Sequence, residues 1–248
     1  MAESLLVISA HAADFVWRAG GAIALYRSRG HQVCVVCLSY GERGESARFW
    51  RQGLSLPDIK MARHAEAEAA AEALGVTDLR CYDADDYPIR TTPELELRLV
   101  RLYRELQPTV VLTHTPIDPY NQDHATASRL TLDSRVLAQA PGVDRDHAEQ
   151  AQTAVLGAPP VFFFEPHQTE MCQFRPDLLL DISEVWERKL AAMHTMAAQE
   201  HLWDYYTDVA KRRGVQAARN SGPNLGHRTQ TMAEAFQRLF PQIATELT

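Results

Sequence analysis

Two histidines and an aspartate have the residue types and the positions of a metal site. His11 and Asp14 follow directly after the apolar, strand-like run at residues 5–9, and His124 lies in a polar loop that follows a second apolar run at 110–112. Because His11 and Asp14 are three residues apart, one turn of chain can direct both side chains at the same ion. Two nitrogens and one carboxylate oxygen suit zinc and leave a fourth position for water or substrate. Each residue alone is explained equally well as a helix cap or a polar contact, so the joint placement carries the prediction of one zinc ion per subunit.

The elements that would position these side chains alternate between strand-like and helical patterns. This alternation predicts an α/β fold with a Rossmann-like, mostly parallel sheet and helices on both faces. The predicted strands cover residues 5–9, 33–39, 79–82, 109–113 and 161–164; the predicted helices cover 16–29, 59–74, 94–106, 125–138, 183–199, 202–217 and 229–239, with a loop at 140–158.

Polar segments follow the predicted strands. In a parallel sheet the ligand binds beyond the carboxyl ends of the strands, so we expect these segments to surround one cleft. Loops are polar in general, and only their convergence indicates a hydrolase or lyase site. The segments are residues 11–14, 41–46, 83–86, 114–124 and 165–168.

Composition limits the class of protein. A chain of 248 residues with 46% hydrophobic residues can fill one core, and we expect a single domain over residues 1–248. The formal charge of −7 and the lack of a dense Lys/Arg block argue against a nucleic-acid partner and favour a small-molecule substrate. The sequence shows no signal-peptide pattern and no apolar run long enough to cross a bilayer, so we expect a cytoplasmic protein without a membrane partner. Four cysteines are too few for a disulfide scaffold, which agrees with a reducing compartment.

Several short motifs resemble the PIG-L (LmbE-like) family of zinc-dependent N-deacetylases. They are a strand followed by Ala-His-x-x-Asp at residues 10–14, Gly-Glu-x-Gly at 41–44, Arg63-x-x-Glu66 with Leu74-Gly75, and Asn-Gln-Asp-His at 121–124. The family's motifs are Ala-His-Pro-Asp-Asp-Glu, which holds two zinc ligands and the catalytic base, and His-Pro-Asp-His, which ends in the third ligand. The resemblance covers most of the chain and implies the zinc ligands His11, Asp14 and His124.

The chain departs from these motifs at the catalytic positions. Ala13 stands where the family has its catalytic aspartate, and alanine can neither accept nor relay a proton. Asn121 stands where the family has a histidine thought to stabilise the oxyanion. Because the ligands are kept while the base for amide hydrolysis is missing, we interpret the chain as a relative with a changed reaction.

Further details resemble one branch of this family, the hydratases that act on 4-oxalomesaconate, a tricarboxylic keto acid of bacterial gallate and protocatechuate 4,5-cleavage. These details lie in residues 9–21, 41–46, 157–160 and 164–168. Hydration of a conjugated double bond needs an electrophile, a base for water and an acid for carbon, and zinc can supply the first. The candidates for proton transfer are Glu45, Glu42 and His167, and the candidates for binding a polycarboxylate are Arg43, Arg18 and Asn121.

Two alternatives stay open on the residues alone. One is a true amidohydrolase of an N-acyl sugar or amine that recruits Glu45 or Asp123 as its base. The other is a non-catalytic module that binds a metal or a sugar. Measurement of the metal content would distinguish the non-catalytic module from the enzymes. A substrate assay would distinguish the amidohydrolase from the hydratase. The resemblance also implies a homo-oligomer.

Overall fold

The computed structural model describes residues 3–220 and 232–241. Seven strands of these ranges form one sheet in the order β3-β2-β1-β4-β5-β7-β6. The strands are β1 (Ser4–Ser9), β2 (Gln32–Cys37), β3 (Asp78–Cys81), β4 (Val110–Thr113), β5 (Val161–Phe164), β6 (Leu178–Asp181) and β7 (Ala233–Arg238).

The pairs from β3 to β5 are parallel, whereas β7 pairs antiparallel with both β5 and β6. The expected mostly parallel sheet with surrounding helices is therefore confirmed. The α-helices are α1 (Asp14–Ser28), α2 (Ala47–Arg51), α3 (Leu56–Leu74), α4 (Pro93–Leu106), α5 (Gln122–Ala138), α6 (Arg145–Ala151), α7 (Trp186–His194) and α8 (Trp203–Asn220). No helix within the described ranges has the length and apolar character needed to span a membrane.

Strand β1 shows how the sheet divides the core into two layers. Its side chains alternate between the faces, so Leu5 and Val7 pack on one side while Leu6 and Ile8 pack on the other. Helices α1, α3, α7 and α8 contribute to the first layer, and α4 and α5 contribute to the second. Because both faces are covered, β1 reads as a continuous apolar run.

The prediction of a helix over residues 229–239 is wrong for the part that the structure describes. Residues 233–238 form β7, and 229–231 lie outside the described residues. The segment Ala-Glu-Ala-Phe-Gln-Arg is rich in helix-forming residues, yet it is paired on both edges within the sheet. Tertiary pairing overrides the local propensity here.

Smaller differences concern the second half of the chain. Strand β6 was not among the predicted strands, and α6 lies inside the predicted loop at 140–158. The predicted helix at 183–199 is divided: 3-10 turns at Ser183–Val185 and Ala197–Leu202 flank α7. The second turn matters for the site, because it carries a side chain into the cavity described below.

Candidate metal centre and active site

The neighbouring strands β1 and β4 bring the three predicted ligands together. The strand order reverses between them, and such a reversal is where an α/β sheet opens a crevice for ligands. His11 and Asp14 follow β1, and His124 lies in the first turn of α5, after β4. Oδ2 of Asp14 is 3.3 Å from Nδ1 of His11, and its Oδ1 is 3.4 Å from Nε2 of His124. The three side chains converge on one point.

Glu45 reaches the same point from the loop after β2. Its Oε1 lies 3.1 Å from Nδ1 of His11 and 3.9 Å from Nε2 of His124. One ligand atom each from His11, Asp14, Glu45 and His124 lies within 4.8 Å of all the others. The sequence names Glu45 only as a proton-transfer candidate on a polar loop; its contact with the ligand group is visible only in three dimensions.

Two buried nitrogens of this cluster, Nδ1 of His11 and Nε2 of His124, lie close to carboxylate oxygens but make no hydrogen bond of suitable geometry among the described residues. The other nitrogen of each ring faces a carboxylate, since Nε2 of His11 is 3.2 Å from Asp123 and Nδ1 of His124 is 2.8 Å from Asp118. An unpaired buried polar atom is costly, whereas a metal-binding imidazole shows this division, with one nitrogen on the ion and one on a carboxylate. Two imidazoles with carboxylates are a donor set that fits zinc.

Ionised carboxylates dominate the electrostatics of the cluster. Burial opposes protonation of His11, but Glu45, Asp123 and Asp14 outweigh burial and raise the pKa of His11 well above its usual value. Burial likewise opposes ionisation of Glu45, but the facing His11 lowers the pKa of Glu45 below its usual value. This cluster is an environment that stabilises positive charge.

His114 is a site residue that sequence reasoning did not single out, although it opens the polar loop after β4. Its ring stacks on His124 with centroids 4.2 Å apart, and its Nε2 accepts a hydrogen bond from the backbone nitrogen of Ala10 at 3.0 Å. Burial, together with the neighbouring His124, lowers the pKa of His114 to about 3. His114 is therefore a neutral ring that packs against one face of His124.

A cavity of about 200 Å³ opens beside the cluster. It is lined by residues from four of the five predicted strand-end segments and from α1, together with residues from the C-terminal part of the chain. The lining residues are Asp14, Trp17, Arg18, Glu45, Tyr87, Asp118, Tyr120, Asn121, His124, His167, Gln168, Gln199, Leu202 and Tyr206.

Arg18 and His167 both line this cavity. Arg18 is buried; its Nε donates to Asp14 at 3.3 Å and its Nη1 donates to the carbonyl of Glu165 at 3.2 Å. The ring of His167 stacks on Tyr205 with centroids 4.3 Å apart. Burial and the positive charge of Arg18 lower the pKa of His167, so its imidazole is largely neutral at pH 7.

Glu42 and Arg43 are not brought into the cavity. Glu42 faces Lys60 of α3 at 3.4 Å, and Arg43 is 39% exposed and pairs with Asp85 at 3.1 Å. Residues 41–46 form a tight turn that begins at Gly41, which has a φ of +71°, and this turn directs Glu45 toward His11 while Glu42 faces α3. The two glutamates therefore belong to different clusters.

Gln199 and Tyr206 enter the cavity from the C-terminal part of the chain. Tyr206 stacks on Trp17 with centroids 5.3 Å apart. The side-chain oxygen of Gln199 accepts from Trp17 and from Arg63, each at 3.4 Å. Since both partners can only donate, the amide nitrogen of Gln199 is the atom left for a ligand.

Position 13 carries no functional group. Ala13 is fully buried, precedes α1 and packs in the first core layer. Its methyl group can neither take up nor deliver a proton, although it adjoins the ligand Asp14 in sequence. Any proton transfer at this centre depends on other side chains.

This fold, with two histidines and carboxylates at the ends of β1 and β4, matches a known class of metal-site proteins. The chain belongs to the PIG-L family, whose model, described as GlcNAc-PI de-N-acetylase, matches residues 6–134.

Within that class, the chain is similar to the 4-oxalmesaconate hydratase of Pseudomonas putida KT2440, with 50% identity over 99% of this chain and 92% of the relative. The crystal structure of GalB, the 4-carboxy-2-hydroxymuconate hydratase from the same organism, has a TM-score of 0.92 and covers 99% of this chain and 100% of that chain. An N,N'-diacetylchitobiose deacetylase from Pyrococcus horikoshii shares the fold at 23% identity, with a TM-score of 0.76 over 96% of this chain and 84% of that chain.

Proposed function

We propose that this protein is a metal-dependent hydratase that adds water to 4-oxalomesaconate (4-carboxy-2-hydroxymuconate) to give 4-carboxy-4-hydroxy-2-oxoadipate. The similarity of 50% over nearly the whole chain to a hydratase of this substrate carries the proposal. Ala13 supports it independently, because the ligand group is intact while the hydrolytic base of the family is replaced.

We assign one zinc ion per subunit to His11, Asp14 and His124, supported by the two imidazole nitrogens of the cluster that make no hydrogen bond among the described residues. Zinc bound there would supply Lewis acidity toward the carbonyl and carboxylate oxygens of the substrate. Asp123 and Asp118 orient the two imidazoles through the opposite ring nitrogens.

Glu45 is the proton acceptor for the water that adds to the double bond. Its lowered pKa keeps the carboxylate ionised at neutral pH, and it lines the cavity beside His11. His167, on the loop after β5, is the second proton-transfer group. Water loses a proton to Glu45 and adds as hydroxide to one carbon of the double bond, while His167, in its protonated form, donates a proton to the other carbon. Of the three candidates from the sequence, Glu42 has no part in this assignment because it faces Lys60.

Arg18 provides positive charge for the substrate carboxylates. Two of its three nitrogens are held by Asp14 and Glu165, and its Nη2 makes no hydrogen bond among the described residues. A buried guanidinium with a free nitrogen pairs strongly with a carboxylate. Arg43 faces Asp85 outside the cavity and is not assigned to the substrate.

The amidohydrolase alternative would need Glu45 or Asp123 as its base. Asp123 already accepts from the backbone nitrogens of Tyr87 and Ile89, each at 2.8 Å, and faces His11. Asp123 therefore anchors the backbone of this loop and orients the ring of His11, which argues against its use as a catalytic base. The expectation of a cytoplasmic homo-oligomer stays a prediction from the sequence.

The deciding experiment is a paired assay of the zinc-loaded protein with 4-oxalomesaconate and with a panel of N-acetylated sugars. We expect loss of the substrate's conjugated absorbance, formation of the hydroxylated keto acid by NMR, and no acetate release. A parent protein that never consumes 4-oxalomesaconate removes the hydratase assignment. Acetate release at enzymatic rates would establish the amidohydrolase instead.

A further inference from the structure

The side chain of Asn121 is held between the start of α5 and the hydroxyl of Tyr87. Its Oδ1 accepts a hydrogen bond from the backbone nitrogen of Asp123 at 3.1 Å, and its Nδ2 donates to the Tyr87 hydroxyl at 3.1 Å. A backbone nitrogen can only donate, so the orientation of the amide is fixed. Asn121 therefore presents a donor, and not an acceptor, to the phenol.

This contact determines where the Tyr87 hydroxyl can donate. A phenol has one hydrogen, and its oxygen already accepts from Asn121. The hydroxyl makes no other hydrogen bond among the described residues, so its hydrogen is available to a ligand. Tyr87 lines the cavity together with Glu45 and His124, and its ring centroid is 6.0 Å from that of His11.

The Tyr87 ring is half exposed, and contacts on two sides constrain its position. The backbone nitrogens of Tyr87 and Ile89 donate to Asp123, which anchors this loop to the start of α5. On the other side, a Cβ atom added at Gly44 would overlap the Tyr87 ring. The Gly41–Ser46 loop thus lacks a side chain at position 44 where the aromatic ring packs.

We propose that Tyr87 is a further substrate-contacting residue, whose hydroxyl donates a hydrogen bond to an oxygen of the bound keto acid, and that Asn121 is the positioning residue that orients it. The assignment rests on the proposed function for its ligand class. Asn121, which the sequence suggests as a direct substrate-binding residue, would thus act on the substrate through the Tyr87 hydroxyl. The amide at position 121, where the family has a histidine, thereby has a defined role.

The test compares Y87F, N121S and the double variant Y87F/N121S. Serine keeps an oxygen for the start of α5 but cannot donate to the phenol from the position of Nδ2. We expect Y87F to lower kcat/KM for 4-oxalomesaconate by about tenfold to a hundredfold, in line with the loss of one hydrogen bond to a charged group. N121S should cost about tenfold in the parent and less than twofold in the Y87F background, with metal content unchanged in all variants.

A second measurement separates this assignment from the proposed reaction. 2-Oxoglutarate is a keto dicarboxylate without a double bond to hydrate, and its dissociation constant can be measured by calorimetry. Y87F should weaken its binding several-fold whether or not the parent hydrates 4-oxalomesaconate. Unchanged kcat/KM and unchanged 2-oxoglutarate binding in Y87F overturn the assignment, as does an equal effect of N121S in both backgrounds. A parent that neither hydrates the first compound nor binds the second overturns it too.

Discussion

The carboxylate of Asp118 accepts a hydrogen bond from Nδ1 of His124 at 2.8 Å. Its other oxygen is held by the backbone nitrogens of Tyr120 and Asn121, at 3.0 and 3.1 Å. This arrangement places the proton of His124 on Nδ1 and leaves Nε2 directed at Asp14 and Glu45. A carboxylate in this position fixes both the tautomer and the direction of a metal-binding imidazole.

Replacing Asp118 should therefore weaken metal binding without removing a ligand. We expect Asp118→Ala to lower zinc affinity by about tenfold to a hundredfold, the usual effect of losing such a partner. Competition with a chromophoric chelator measures it. Asp133→Ala is the matched control, because Asp133 is a partly exposed residue of α5 whose one ion pair within the described part of the chain is with Arg129. Equal affinity for both variants would contradict the role of Asp118.

Removal of a ligand should have a larger effect. His11→Ala and His124→Ala each take away one of two imidazoles that have an unpartnered buried nitrogen. We expect purified variants to contain far less than one metal ion per chain by elemental analysis. His64→Ala, at a partly exposed position of α3 that lies outside the cluster, should retain the parental content. Near-stoichiometric metal in either ligand variant would mean that the ion is bound elsewhere.

The protein should lack N-deacetylase activity because Ala13 is buried and carries no base. Loss of a positioned base costs about a hundredfold to ten-thousandfold in rate. Acetate release from a panel of acetylated sugars should stay near background at a zinc loading that supports hydration of 4-oxalomesaconate. Robust hydrolysis would show that another side chain serves as the base.

Glu45 and His167 should be required for turnover. We expect Glu45→Gln and His167→Asn each to lower kcat by about a hundredfold, within the usual range for acid and base groups. Metal content should stay near parental, because His11, Asp14 and His124 remain. Glu68→Gln, on the exposed face of α3, is the control for the glutamate variant. Parental rates in both variants refute the proton-transfer roles, and loss of metal in Glu45→Gln would make Glu45 a ligand.

A buried ion pair away from the cluster should contribute to stability. Nζ of Lys189 is 2.7 Å from Glu234, and both side chains are almost fully buried. Glu234 also accepts from the backbone nitrogens of Gly21 and Ala22 in α1. Lys189→Met leaves this carboxylate without its cation, so we expect a loss of about 3–5 kcal/mol in the free energy of unfolding, measured with urea.

The double variant Lys189→Met/Glu234→Gln is the control for this pair. It removes both charges, and its loss should be clearly smaller than that of Lys189→Met alone. Equal losses would mean that packing of the lysine stem, and not the charge pair, accounts for the effect.

The sequence by itself determined the parallel part of the sheet and the three proposed ligands. Residues 5–8 are apolar throughout because β1 is covered on both faces, and that pattern needs no knowledge of distant contacts. His11, Asp14 and His124 could be chosen because the carboxyl ends of adjacent parallel strands meet at one edge. Both inferences depend on local pattern and on a general rule of the fold.

Only the tertiary structure decided the features that depend on distant partners. Residues 233–238 are rich in helix formers, but pairing with β5 and β6 and neutralisation of Glu234 by Lys189 make them a strand. Glu42 and Glu45 look equivalent in one polar loop, yet the turn at Gly41 places only Glu45 in the metal cluster. Pairing of a late strand depends on contacts far away in sequence, and side-chain direction in a turn depends on its backbone dihedral angles. Neither can be read from residue type and spacing alone.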